Sequence, residues 1–263
     1  AVTRDAIREA DPHRLVSVGH LQGFGGGDVA LDPIIASRDM DFTNRHYYGA
    51  MGDYAAELME IDMRHLGKAP STGEFGATSH PGLRAHFVYQ PEAEASWRYV
   101  FTAHTCFGLG GAFVANWHWQ DPIEDIFPCG VLLADGAPRD RFYGYRNAGV
   151  LFRQIRPRYR APEVFFVIPT SHRFGARQHE IEKAMVRGLC SLLGVHVEVG
   201  TVDEEQLDTL PSAARVLIWP VPYCPSDEAY ARVLEFVRRG GALCLSGDVS
   251  YGPDRRRTRT RRL

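Results

Sequence analysis

The chain has 263 residues, 44% hydrophobic, 24% charged and 11% aromatic, which suits one large or two ordinary globular domains with sizeable cores. A formal net charge of -2 gives the body no nucleic-acid or membrane partner, and no apolar run approaches the roughly 18 residues of a membrane span. The five cysteines (106, 129, 190, 224 and 244) are scattered without a CxxC pair, which excludes a disulfide framework or structural zinc and points to a reducing, cytoplasmic setting.

Taken in chain order, AVTRDAIREADPHR carries no secretion signal and starts as the middle of an amphipathic helix. The far end, DRRRTRTRRL, stops without a cap, so both ends read as cuts and the chain as an internal piece of a longer protein. LVSVG (Leu15 to Gly19) reads as a first strand and DFTNRHYYG (Asp41 to Gly49) as a second. APSTGEFG holds a short polar third, and GAFVANWHWQD (Gly111 to Asp121) a fourth. Between them Tyr54, Leu58, Ile61 and His65 follow a helical spacing, as do Trp97, Val100, Phe101 and His104. Strands alternating with helices predict βα units and a parallel sheet, with functional groups at the C-terminal strand ends.

QIRPRYRAPE (Gln154 to Glu163) is basic and proline-bearing and reads as a linker. Beyond it EVFFVIP, VHVEVG, VLIWPV and ALCLSGD read as strands. HEIEKAMVRGLCSLLG, VDEEQLDTL and SDEAYARVLEFVRRGG read as helices, the last capped by Ser226. The expected organisation is a first α/β unit over 1–156, a small doubly wound α/β domain over 162–252, and the start of a further segment over 253–263.

Three groups carry chemistry. Glu74 stands between Gly73 and Gly76 at a strand end, where it can face an open cleft; the alternative is a solvated glutamate in a turn. Asn44, His46 and Tyr48 lie two apart, so the imidazole and phenol share a face and can hydrogen-bond a carboxylate and a sugar-like ligand together. In NWHWQD, Trp117, Trp119 and Asp121 likewise alternate, two indoles forming a platform for an apolar sugar face with Asp121 beside it for hydroxyls. All three groups fall at the same end of successive parallel strands, which a barrel closes around one pocket.

These segments resemble the second half of a clan-A glycoside hydrolase, a (β/α)8 TIM barrel of retaining enzymes. GEFG at Glu74 resembles the nucleophile motif of the seventh strand, His46-Tyr47-Tyr48 the His-x-Tyr of the sixth, and Trp117 with Asp121 the Trp and acidic residue of the eighth. IREADPHRLVSVG is similar to the helix and strand that follow the acid/base glutamate. The second unit resembles the flavodoxin-like, class I amidotransferase-like trimerisation domain of family 42 beta-galactosidases. The resemblance implies a carbohydrate substrate, no metal or organic cofactor, and a homo-oligomer formed through the second domain. The clan's Asn-Glu acid/base pair is absent from the chain, which begins just after where it belongs. The implied function is retaining hydrolysis of a β-glycosidic bond in the full protein, with this piece alone inactive. A non-catalytic carbohydrate-binding protein on the same scaffold is the alternative.

Other features carry less. GFGGGD (Gly23 to Asp28) reads as a flexible loop rather than a phosphate loop, and the histidines, His80, His86 and His104 among them, show no metal-ligand spacing. PVPYCPS around Cys224 lacks a Gly-x-Cys-x-Gly elbow, and its prolines are expected to oppose a strand-to-helix turn. The six arginines from Arg255 to Arg262 read as a solvated helix start.

Overall fold

The computed structural model describes residues 2–21, 33–80, 82, 89–123, 128–169 and 177–257. The GFGGGD loop, His86 and the last arginines lie outside them. The first unit holds three parallel strands, β1 (Gly19–Leu21), β2 (Asn44–Tyr47) and β3 (Thr72–Phe75), in that spatial order. Around them lie helices α1 (Val2–Ala10), α2 (Pro33–Ser37), α3 (Tyr54–Met59), α4 (Glu92–Gly108) and α5 (Asp140–Gln154).

The strands fall where expected with shifted limits. β1 starts at Gly19, not Leu15; upstream, side-chain bonds accompany a backbone bond from Asp41 N to Val16 O at 2.9 Å. Asp41 accepts from Val16 N at 2.7 Å, and Ser17 Oγ donates to Phe42 O at 2.8 Å. The expected fourth strand keeps its place and direction beside β3 without being regular. Ala112 N donates to Pro70 O (2.8 Å), Ala115 N to Thr72 O (2.8 Å) and Trp117 N to Phe75 O (2.7 Å).

Helix α3 stops at Met59, short of the expected His65. The Asp62 carboxylate takes both the Arg64 amide and its guanidinium, a local turn that competes with helix, and His65 falls in a 3-10 turn closed by Gly67 at φ 76°. Helix α4 forms as the spacing predicts, yet buries the other face. Trp97 is 57% exposed, whereas Ala95, Arg98, Tyr99, Thr102, Ala103 and Cys106 point inward. Polar residues are tolerated there because they are paired: Arg98 donates to Gly49 O (2.9 Å) and Gln90 Oε1 (2.6 Å). The chain from 155 to 162 is irregular, and Tyr159 ties it to the end of α4 through Phe107 O at 2.5 Å.

The second unit is a parallel sheet in the order β5-β4-β6-β7, from β4 (Val164–Ile168), β5 (Val199–Asp203), β6 (Val216–Tyr223) and β7 (Ala242–Asp248). This is the doubly wound order in which the chain reverses direction across the sheet between its first and third strands. Alternation along β4 separates two cores. Phe165 and Val167 join Trp219, Val233 and Phe236 beneath α7 (Asp227–Arg238), whose cap Ser226 accepts from Ala229 N at 3.1 Å. Phe166 and Ile168 face the other way, onto Ile181, Met185 and Leu189 of α6 (Gln178–Gly194). That second core continues into Ala56 and Met59 of α3 and Met63 beyond it, so the first unit supplies part of the layer that covers this sheet. VHVEVG starts its strand only at Val199 because His196 adopts a left-handed φ of 59° in the turn after α6. VDEEQLDTL forms a 3-10 helix over Glu204–Thr209. The turn after β6 corrects another expectation. Cys224, buried and at φ 56°, does link strand to helix despite its flanking prolines.

Candidate active site

The register between β2 and β3 sets the site. Arg45 pairs with Thr72, but the next residue, His46, pairs with Glu74, and Tyr47 with Phe75. One residue, Gly73, is left over as a bulge. Without it, Glu74 would share the face of Thr72, whose hydroxyl meets Tyr54 on the helix side at 2.6 Å. With it, Glu74 turns to the face of His46, while Phe75 packs outward on Tyr99 (4.8 Å) and Tyr145 (5.9 Å).

Both oxygens of Glu74 are engaged. Tyr48 OH donates to Oε1, and His46 Nδ1 lies 3.1 Å from Oε2, an ion pair whenever the imidazole is protonated. The two side chains remain partly open, Glu74 20% and His46 25% exposed, so the group is reachable without being fully solvated. Burial, then the bond to Glu74 and its charge, push the Tyr48 phenol far above its ordinary value, so Tyr48 is held as a neutral donor.

The glycines around Glu74 make room for protein rather than for a ligand. A Cβ on Gly73 would overlap the Asn44 carboxamide, whose Cγ lies 2.7 Å from it, and a Cβ on Gly76 would sit 2.5 Å from the Trp117 carbonyl oxygen. On β1 a Cβ at Gly19 would meet His46 Nε2 at 2.5 Å. Three small residues thus let side chains and backbone of neighbouring strands interlock beneath the carboxylate.

The tryptophan group is divided. Trp117 is 44% exposed, hydrogen-bonded through its amide to β3, and its peptide bond to His118 is cis. Trp119 contacts Phe142 at 5.8 Å and lines a cleft of about 360 Å³ with Ala103, Gly149 and Phe152 of α4 and α5. Asp121, expected to hold sugar hydroxyls, is buried: Gly130 N donates to Oδ1 at 2.6 Å and Arg139 pairs with Oδ2. Its oxygens therefore organise the loop after the expected fourth strand.

One supporting residue is not marked by any local pattern in the sequence. Arg141, fully buried on α5, donates to Ala77 O, to Ser79 Oγ (2.8 Å) and to both oxygens of Glu92, tying down the loop that leaves β3. Burial alone would raise Glu92, but the bonds from Arg141 and Ser79 outweigh it and hold the carboxyl below its usual range. Nothing in local spacing marks such a residue. Gly73 did carry a signal, since a glycine inside a strand pattern often marks a bulge. Among the described residues no group of three or more His, Cys, Asp or Glu could hold a metal ion, and no helix is long and apolar enough to cross a membrane.

The parallel α/β fold of the chain is similar to that of several solved glycosidase structures. Among solved structures, a beta-galactosidase from the Antarctic haloarchaeon Halorubrum lacusprofundi matches with a TM-score of 0.74 at 18% identity, over 99% of this chain and 42% of its own. A GH42 beta-galactosidase from G. stearothermophilus matches at 0.67 and 17% identity, over 90% of this chain and 37% of its own. An exo-beta-1,4-mannosidase from an Opitutaceae bacterium matches at 0.64 and 18%, over 93% and 48%. The chain thus spans less than half the length of each of these neighbours. No protein-family model and no curated protein matches the sequence.

Proposed function

We propose that the full protein is a retaining glycoside hydrolase acting on a β-linked sugar, beta-galactosidase-like or related, with Glu74 as its nucleophile. The observation that supports this best is the fixed carboxylate, each oxygen engaged, at the C-terminal end of a parallel strand. Glu74 would attack the anomeric carbon while the bond to the leaving oxygen breaks and that oxygen takes a proton from a second carboxyl group. Water, deprotonated by the same group, would then cleave the glycosyl ester and restore Glu74. Tyr48 and His46 would steady the anion between turnovers, and Trp117 would offer its indole face to the sugar ring.

Retention needs the second carboxyl about 5–5.5 Å from the first. The Asn-Glu pair that carries this group in the resembled clan does not occur in the sequence, so we take the acid/base from elsewhere in the full protein and take this piece alone as inactive. Oligomerisation through the second α/β unit belongs to the same proposal. Replacing Glu74 with Gln in the complete protein should reduce turnover of an aryl β-glycoside by several orders of magnitude. Undiminished turnover removes Glu74 from the mechanism; sugar binding without turnover in the unmutated protein would favour a carbohydrate-binding role.

A further inference from the structure

We propose that Asn44 is a positioning residue: its carboxamide is the wedge that holds the Gly73 bulge and so aims Glu74. A bulged residue has no ladder partner, so its place is kept by whatever touches it. Here Asn44 does so. The carboxamide fills the volume where a side chain on Gly73 would stand, with Cγ 2.7 Å from that ideal Cβ. Its Oδ1 is buried and accepts no hydrogen bond among the described residues, so packing rather than a bond to that oxygen keeps the carboxamide in place. Asn44 pairs with Gly19 on β1, and the bulge step falls directly after Arg45, so the wedge lies one residue before the register change it stabilises. If the bulge slips, alternation returns Glu74 to the helix side and away from Tyr48 and His46.

Steric filling and polar contact make opposite demands on substitution. Leu matches the length and branching of Asn without its hydrogen bonds; Ala empties the notch. In the complete enzyme Asn44→Ala should lower kcat about 10- to 100-fold, as misplacement of a reacting group does, with KM within about twofold. Asn44→Leu should lose about tenfold less. Gly73→Ala should be impaired because its methyl meets the carboxamide, and Gly73→Ala combined with Asn44→Ala should recover, the notch being refilled from the other strand. Crystal structures of the variants read the same geometry without any reaction, so this inference stands or falls separately from the glycosidase proposal on which its kinetic arm rests. The Tyr48–Glu74 bond should persist with Leu at position 44 and be lost with Ala. Equal losses for Ala and Leu, a loss confined to KM, a double variant no better than Gly73→Ala, or an intact Tyr48–Glu74 bond in Asn44→Ala would each overturn the wedge.

Discussion

Glu74 owes its properties to three neighbours of different kinds. Tyr48 supplies a neutral donor, His46 a second donor that can carry charge, and the bulge at Gly73 the direction. A hydrogen bond to an ionised group contributes about 1.5–3 kcal/mol, so Tyr48→Phe should cost about 10- to 100-fold in kcat/KM of the complete enzyme. The folded core should be unaffected, since Tyr48 stands at the strand end while Tyr47 makes the packing contact with Tyr54, 5.1 Å away. A Tyr48→Phe enzyme of full activity would detach the phenol from the site.

At the scale of elements, β2 carries two sets of work on its two faces. Asn44 and His46 look toward Glu74, while Arg45, 1% exposed between them, pairs with Glu57 of α3 (3.0 Å) and with Glu60 (3.1 Å). This charged layer reaches the contact between α3 and α6. There the Glu182 carboxyl is pushed up from 4.5 to about 7 by burial and by the charge of Glu57, with Asp53 adding to the rise and Arg45 and Lys183 opposing it; His179 lies 3.9 Å away. A carboxyl raised on folding binds its proton more tightly in the native state. It therefore contributes stability that is full below pH 4.5 and is lost as pH rises through about 7. Glu182→Gln should flatten that part of the stability profile and leave the variant more stable than the parent at pH 8, measured by urea unfolding across the range. A variant whose profile still falls between pH 4.5 and about 7 would locate the titration elsewhere.

For the whole molecule, the shared core matters most. Ala56, Met59 and Met63 from the first unit and Phe166, Ile181, Met185 and Leu189 from the second form one buried cluster, and Thr201 Oγ1 donates to Met59 O at 2.5 Å across the same seam. Neither unit can open here without exposing the other. Met185→Ala should destabilise by about 2–5 kcal/mol, the usual cost of emptying a methionine-sized site. Because the cluster joins both units, tryptophan fluorescence and circular dichroism should report one coincident transition, shifted together by the substitution. Two separated transitions, only one of them moved, would show that the units unfold independently.

Much of this was legible in the residues because it depends on local periodicity. The β4 run, α6, and α7 with its Ser226 cap follow from spacing and cap chemistry that need no distant partner. The two-residue interval of His46 and Tyr48 likewise carries its own geometry. What tertiary structure alone decided involves counting or choosing between strands and faces. Spacing put a helix at α4 but could not say that the face with Arg98 and Thr102 goes inward, since burial there rests on partners at Gly49 and Gln90. Asp121 reads as a sugar ligand until Arg139 and Gly130 take its oxygens. The direction of Glu74 is the clearest instance. A bulge exists only relative to a partner strand, so the face a carboxylate takes beyond Gly73 is undetermined until β2 lies beside β3 and Asn44 meets the glycine.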